Sequence, residues 1–386
     1  MIKDNVILLG GPFLNDLDRI EQTLPKYLSR YRKVHCFEYP RFKNLVLVFL
    51  RKIKLSERVN TNLTIFHSIG LLPFGRNIPL INKLNHVFNY IIFTSITSLS
   101  NRAYNIISFT PEISYLFNQL NTINSTHRVI YYVLDNYMSL PYWSNNLQRN
   151  QLKSLERKTL LNSSLVITAS IPLYRLFKKK HTRVILYTTP AELSPFIKNS
   201  SKNTILISRK TSYIPEPRIG FIGSLYDWRI NFQLLLKLLK HFHNISFVFL
   251  GTFHIQNEEI IKKLNKMKNF YFLGKKKYST IPNYIESFKA CIIPYSLGKY
   301  GKYAYPVKVN EYLCKGKPIV STALPALKSL SKKKLLYWSK NNKEFIRNTQ
   351  IALNEKAKYL ARMRKKEAIK NSWQNRISEF LNILNT

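Results

Sequence analysis

The chain has 386 residues, 45% of them apolar and 13% aromatic, which excludes a disordered chain and exceeds what one ordinary core accommodates. Its formal net charge is +41, from 61 Lys+Arg against 20 Asp+Glu, a balance that favours nucleic acid, anionic lipid or phosphate-bearing substrates. The charge is spread rather than gathered in a tail: residues 1–200 hold 26 basic and 10 acidic side chains, leaving 35 and 10 for the remainder. Short runs such as Lys178–Lys180, Lys275–Lys277 and Lys332–Lys334 are of the kind found on solvated faces.

From the N-terminus, Met1–Leu9 lacks the design of a cleavable signal. Val6–Leu9 reads as a buried strand ending in the tight loop Gly10-Gly11-Pro12, and Asn15–Tyr31 has helical apolar spacing. Strands follow at Lys33–Tyr39, Leu63–His67, Ile106–Phe109, Arg128–Leu134, Ser164–Thr168 and Arg183–Leu186, with helix-like stretches between them. The apolar segments Leu45–Leu50 and Val87–Leu99 are too short or too polar to span a bilayer. Residues 198–217, rich in Asn, Ser and Lys with two prolines, read as a linker between a domain of residues 1–197 and one of residues 218–342.

The second domain alternates again. Strands at Arg218–Ile222, Ser246–Leu250, Asn269–Leu273, Ala290–Pro294 and Ile319–Ser321 are nearly all closed by Gly or Pro, and helices are predicted at Asn231–Phe242, Pro282–Phe288 and Val307–Cys314. Residues 343–386 read as basic C-terminal helix, packing back toward the first domain. The fold class is α/β, two Rossmann-like domains whose ligands belong at strand carboxyl ends and in a cleft between the halves.

Chemistry concentrates in Tyr305–Thr322: a loop, Pro306, a short helix, Gly316 and a buried strand. Lys308 and Glu311 are three apart, hence on one helical face, where a cation meets a phosphate and a carboxylate accepts from a ribose diol; the alternative is an i,i+3 ion pair on a surface helix. Asp135, beyond a strand's carboxyl end, could orient or deprotonate an acceptor hydroxyl or equally cap the following turn. Arg229 is a second cation or a solvent-facing arginine at a helix start. Asp16-Leu17-Asp18 has the form of a metal–nucleotide motif but sits where a helix start favours acids. Neither the eight His residues nor Cys36, Cys291 and Cys314 have metal-ligand spacing, and no Walker or Gly-x-Gly-x-x-Gly loop occurs.

The segment Pro306-Val307-Lys308, two residues, Glu311-Tyr312-Leu313, two residues, Gly316-Lys317-Pro318 resembles the donor-binding signature of GT-B glycosyltransferases, specifically the bacterial group with teichuronic-acid and exopolysaccharide transferases. Phe221–Trp228, Phe247–Gly251, Phe270–Gly274, Ile281–Tyr284 and Ala290–Tyr295 resemble the steps before it, in order. Val34–Pro40, Tyr131–Tyr137, Glu156–Ser170 and Ser372-Trp373 resemble parts of the remainder. Two departures stand out. Tyr303 occupies the position where many such enzymes carry a Glu, eight residues before Glu311, and Thr188–Glu192 replaces their usual Asn-Gly-Val-Asp.

The resemblance implies that Glu311 holds the donor ribose, that Lys308 with Gly223 and Ser224 holds the diphosphate, that residues after Gly274, including Tyr278, flank the base, and that Gly251, Gly274 and Pro306 complete the nucleotide-sugar site. It places Gly10, Gly11 and Asp135 on the acceptor side. The expected reaction is metal-independent transfer of a hexose-type sugar from a nucleotide diphosphate sugar to a lipid-linked or polysaccharide acceptor in cell-surface glycan synthesis, without a cofactor. The enzyme would be cytoplasmic and peripheral on the inner face of the membrane, drawn to anionic lipid. A degenerate nucleotide-sugar-binding protein, an epimerase on the same scaffold and a basic nucleic-acid-binding protein are the alternatives, the last lacking any motif.

Overall fold

The structure, a computed structural model, describes residues 5–10, 20–71, 78–97, 103–116, 127–141, 146–197 and 211–386. The chain divides into two compact units, one of Met1–Thr188 with Ile377–Thr386 and one of Thr189–Arg376. Part of the stretch read as linker, residues 198–210, lies outside the described residues. The division itself falls before it, because Ala191 is already tied to the second unit: its N–H donates to Asn371 O (3.0 Å) and its carbonyl accepts from Trp373 N (3.2 Å).

The first unit is built on β1 (Asn5–Leu9), β2 (Lys33–Phe37), β3 (Ser56–Asn60), β4 (Leu63–Phe66), β5 (Tyr104–Ser108), β6 (Arg128–Val133), β7 (Leu165–Thr168) and β8 (Val184–Leu186). They form one sheet in the order β3-β4-β2-β1-β5-β6-β7-β8, parallel except that β3 runs antiparallel to β4. The sequence reading did not include β3, a largely exposed edge strand with no apolar face to reveal it. The end of the chain completes this unit: Arg128 Nη1 donates to Leu384 O (2.9 Å), and Phe380 packs on the rings of Tyr132 and Tyr187.

In the second unit β9 (Arg218–Ile222), β11 (Ser246–Leu250), β13 (Phe270–Phe272), β14 (Ala290–Ile293), β15 (Ile319–Thr322) and β16 (Tyr337–Ser339) form an all-parallel sheet, order β13-β11-β9-β14-β15-β16, beside a two-stranded pair of β10 (Leu225–Tyr226) and β12 (Phe253–His254). Numbered within the sheet the order is 3-2-1-4-5-6, the doubly wound arrangement whose switch point, here between β9 and β14, opens a crevice at the strand carboxyl ends. The sixth strand, β16, was not anticipated; three residues are too few to display a period.

Local chemistry explains the elements. The helix Phe232–His241 buries Phe232, Leu234, Leu235, Leu238 and Leu239 on one stripe, and Asn231 caps it by accepting from Leu234 N (3.0 Å). Gly220 in β9 has no alternative, because a Cβ there would penetrate the Phe288 ring. The basic C-terminal stretch forms three helices, Asn342–Asn354, Lys358–Lys370 and Trp373–Asn385. The middle one is anchored by Arg364, fully buried, which donates through Nη2 to Glu355 Oε2 (2.7 Å) and through Nε to Leu335 O (2.9 Å). Removing one partner of such a pair strands the other charge in the core. Glu355→Ala is therefore expected to destabilise the second unit by about 3–5 kcal/mol, read as a loss of denaturation midpoint.

Candidate active site

Three glycines end the first three strands of the second unit's sheet by left-handed turns: Gly223 (φ +134°), Gly251 (φ +146°) and Gly274 (φ +69°). Their backbones stitch the strand ends together, Gly223 N donating to Leu250 O (2.7 Å) and Gly251 N to Gly274 O (3.1 Å). A Cβ at 251 would strike the Gly223 carbonyl, and one at 223 would strike Lys308 Nζ. The glycines thus do more than turn the chain. They let an ammonium approach a bare α-carbon at the switch point.

Lys308 begins the helix Lys308–Cys314, behind the buried Pro306 whose carbonyl accepts from Val309 N (2.9 Å). Its Nζ lies 4.0 Å from the centroid of Phe221, at the end of β9, and 5.2 Å from that of Tyr295, just past β14. It turns to these rings rather than forming an ion pair with Glu311. Burial lowers its pKa below the usual lysine value, an effect the Tyr295 hydroxyl and Glu311 oppose and Arg229 reinforces. Arg229 sits beyond β10 with its guanidinium carbon 4.7 Å from the Trp228 centroid, 5.1 Å from Tyr300, 5.2 Å from Tyr226 and 6.0 Å from Tyr295. Its backbone is fixed as well, since its carbonyl accepts from Ser296 N (2.8 Å). Two cations therefore flank one tyrosine ring, held by π-faces.

Glu311, on the same helix and only 6% exposed, lies with Oε1 3.1 Å from the Tyr278 hydroxyl, which is also 3.0 Å from Glu192 O. One phenolic hydrogen thus has two acceptors. Burial raises the Glu311 carboxyl to about 7, partly offset by Tyr278 and Lys308. Nearby, Ser224 Oγ accepts from Thr252 Oγ1 (2.7 Å) and keeps its own hydrogen to donate, and the buried Tyr312 hydroxyl accepts from Ile222 N (2.8 Å). Gly223, Ser224, Gly251, Gly274, Pro306, Lys308, Glu311 and Arg229 thus all lie in this unit, on or beside the strand ends. The Tyr278 hydroxyl is hydrogen-bonded to Glu311, a pairing the sequence reading did not include. The reading missed Tyr295, Thr252 and the aromatic walls around Arg229; the aromatic-rich Tyr226-Asp227-Trp228 and Tyr300 were visible but have no periodic signal.

In the first unit, Gly10 (φ +83°) ends β1 with its N–H on Phe37 O (3.0 Å); Gly11 and the Asp16–Asp18 pair lie outside the described residues. Asp135 stands half-buried just past β6, where its charge helps push the Tyr137 hydroxyl far above its usual pKa, after burial itself. An apolar cavity at the carboxyl ends of β1, β2 and β5 is lined by Leu9, Gly10, Phe37, Glu38, Ile106 and Thr110, among others. Glu38 Oε2 pairs there with His67 Nδ1 (3.0 Å), and the hydrogen bond raises the imidazole's pKa. The sequence reading quoted Glu38 within a strand step but gave it no part. Among the described residues no group of three or more His, Cys, Asp or Glu could hold a metal ion, no helix is long and apolar enough to cross a membrane, and all three cysteines are buried.

Residues 216–355 match the family model described as "Glycosyl transferases group 1". Over these residues, somewhat more than a third of its length, the chain is similar to that family. A Bacillus subtilis protein assigned to teichuronic acid biosynthesis, the glycosyltransferase TuaH, is 24% identical over 226 residues, 56% of this chain; the match spans 55% of that relative's length. Sucrose-phosphate synthase from Thermosynechococcus elongatus superposes with a TM-score of 0.74 over 98% of this chain and 99% of its own, at 12% identity. HepE from Anabaena in complex with UDP does so with a TM-score of 0.69 over the same shares, at 14% identity. The fold is thus GT-B, with two Rossmann-like units, and the matched stretch, residues 216–355, is the one that carries Lys308, Arg229 and Glu311.

The raised carboxyl gives the second unit a pH signature. A folded-state value above the ordinary 4.5 means that the neutral form is favoured in the fold. This stabilisation is complete below about pH 4.5 and is lost as the pH rises through about 7. Glu311→Gln is expected to match the parent chain near pH 4 and to exceed it at about pH 8 by up to about 3 kcal/mol, measured by thermal or denaturant unfolding.

Proposed function

We propose that this chain is a glycosyltransferase of glycan synthesis that takes a hexose-type sugar from a nucleoside diphosphate sugar. The observation that carries the reading is the pair of cations, Lys308 and Arg229, flanking Tyr295 at the switch point, one helical turn from the buried carboxylate of Glu311. In this reading the diphosphate lies against Lys308 and Arg229 and accepts from Ser224 Oγ, while both ribose hydroxyls donate to Glu311. Tyr278 then orients Glu311 and sits on the ribose side. Gly223 shapes the loop, since its N–H is already engaged by Leu250 O. Departure of the nucleoside diphosphate builds negative charge, which the two cations stabilise without a metal or other cofactor. Solved complexes of HepE with UDP and with UDP-glucose, on the same fold, support such a donor.

Asp135, in the other unit, is proposed to orient the acceptor hydroxyl. We further propose a lipid-linked or polysaccharide acceptor at a cell surface, and an anionic membrane on the inner face of which the protein works. Tyr303, in place of the usual Glu, supports a second reading in which the site binds a nucleotide sugar without transferring it.

Calorimetric titration with UDP and GDP tests the shared part. Lys308→Ala and Glu311→Ala are each expected to weaken the nucleotide that binds by about tenfold to a hundredfold, the size of a charge-assisted hydrogen bond lost. Unchanged affinity in both variants would overturn the site. Release of UDP or GDP from the matching sugar nucleotide, with a membrane extract as acceptor, then separates transfer from binding alone.

A further inference from the structure

Two helices of the first unit bury or half-bury asparagine amides while a set of their apolar side chains is exposed. In the helix Phe42–Phe49 the one buried residue is Asn44, whose Nδ2 donates to Ser68 O (2.9 Å). Phe42, Val46, Phe49 and Leu50, at i, i+4, i+7 and i+8, form one exposed stripe, with Phe49 85% exposed. The helix Pro79–Thr97 repeats the pattern. Asn82 accepts from the Tyr39 hydroxyl (2.8 Å), Asn85 from Leu71 N (2.8 Å) and Asn89 from Ile69 N (2.8 Å), while Leu80, Leu84 and Ile91 are exposed.

The two helices share a support. Arg41 and Asn44, at the start of the first, bond to Ser68 and Gly70, and the asparagines of the second hold Ile69 and Leu71. Residues of this seam, Tyr39, Pro40, Ser68, His86 and Asn89, also line the apolar cavity described above. Around the apolar stripes the charge has one sign. Between Tyr39 and Ala103 the sequence carries nine Lys or Arg and a single acid, Glu57; Lys43, Arg51, Lys52 and Lys54 are exposed beside the first stripe and Lys83 beside the second.

We infer that this face, the Phe42–Leu50 stripe with Leu80, Leu84 and Ile91, is the surface by which the protein lies on an anionic lipid bilayer. Apolar side chains that gain nothing from water enter the acyl boundary, and the surrounding lysines and arginines meet acidic headgroups. Charge selects this occupant over a second copy of the chain, because a self-complementary contact would bring two sets of these cations together. The inference deepens the membrane proposal made above and rests on it, but needs neither donor binding nor transfer.

Co-sedimentation with phosphatidylcholine vesicles, with and without phosphatidylglycerol, tests it on the full chain. Binding is expected only with the anionic lipid and is expected to fall with added salt. Phe49→Ser should weaken it about tenfold, and Lys52→Glu with Lys54→Glu by about fivefold per lysine or more. Each variant should keep the parent's melting temperature and its thermal shift with UDP, since Phe49 and these lysines are exposed. Parent-like vesicle binding by both variants, or no binding of the parent to anionic vesicles, would overturn the inference. So would a change confined to self-association in ultracentrifugation or to affinity for single-stranded DNA. Loss of the UDP shift in the parent would instead count against the donor site and leave this surface standing.

Discussion

The arrangement of the second unit turns on one contact: the Lys308 ammonium resting on the Phe221 ring against the bare α-carbon of Gly223. It requires a glycine with a left-handed backbone after β9, a second glycine at 251 so that the neighbouring loop can close on the first, and a helix that starts at 308. Each requirement is met by a residue that would be hard to replace without moving the cation. The contact also explains the chemistry of the position. An ammonium facing rings rather than a carboxylate retains its attraction for an incoming anion, and partial burial strengthens that attraction by excluding water. Arg229 is likewise walled by aromatic faces that orient it.

Glu311 is the counterpart in the opposite sense. It is a carboxylate left in a site too dry to ionise it comfortably, with a tyrosine hydrogen divided between it and a backbone carbonyl. Such an arrangement holds the group in place while leaving acceptor capacity for a diol. In the proposed function it trades stability for binding, which is common where a site is built to bind rather than to support the fold. The structural charges are treated differently. Arg364 is deeply buried but satisfied by Glu355 and by carbonyls, and it holds the Lys358–Lys370 helix in place.

Much of this was legible in the sequence because it is periodic or local. The alternation of apolar runs with Gly or Pro showed five strands of the second sheet, and the spacing of Lys308 and Glu311 put them on one helix face. What escaped has a physical reason in each case. The strands β3 and β16 are short or exposed and carry no period. The Tyr278–Glu311 bond joins residues 33 apart, and the Tyr295–Lys308 contact bridges two elements; side-chain pairings of this kind leave no repeating trace. The helices with exposed apolar stripes were hidden differently: Phe42–Phe49 looks like any amphipathic segment until the structure shows which face is inside.

The most direct measurement of the central claim is a crystal structure of the chain grown with UDP. The account predicts the diphosphate against Lys308 Nζ and the Arg229 guanidinium, with both ribose hydroxyls on the Glu311 carboxylate. A nucleotide bound elsewhere, or one at the switch point whose ribose turns away from Glu311, would contradict it.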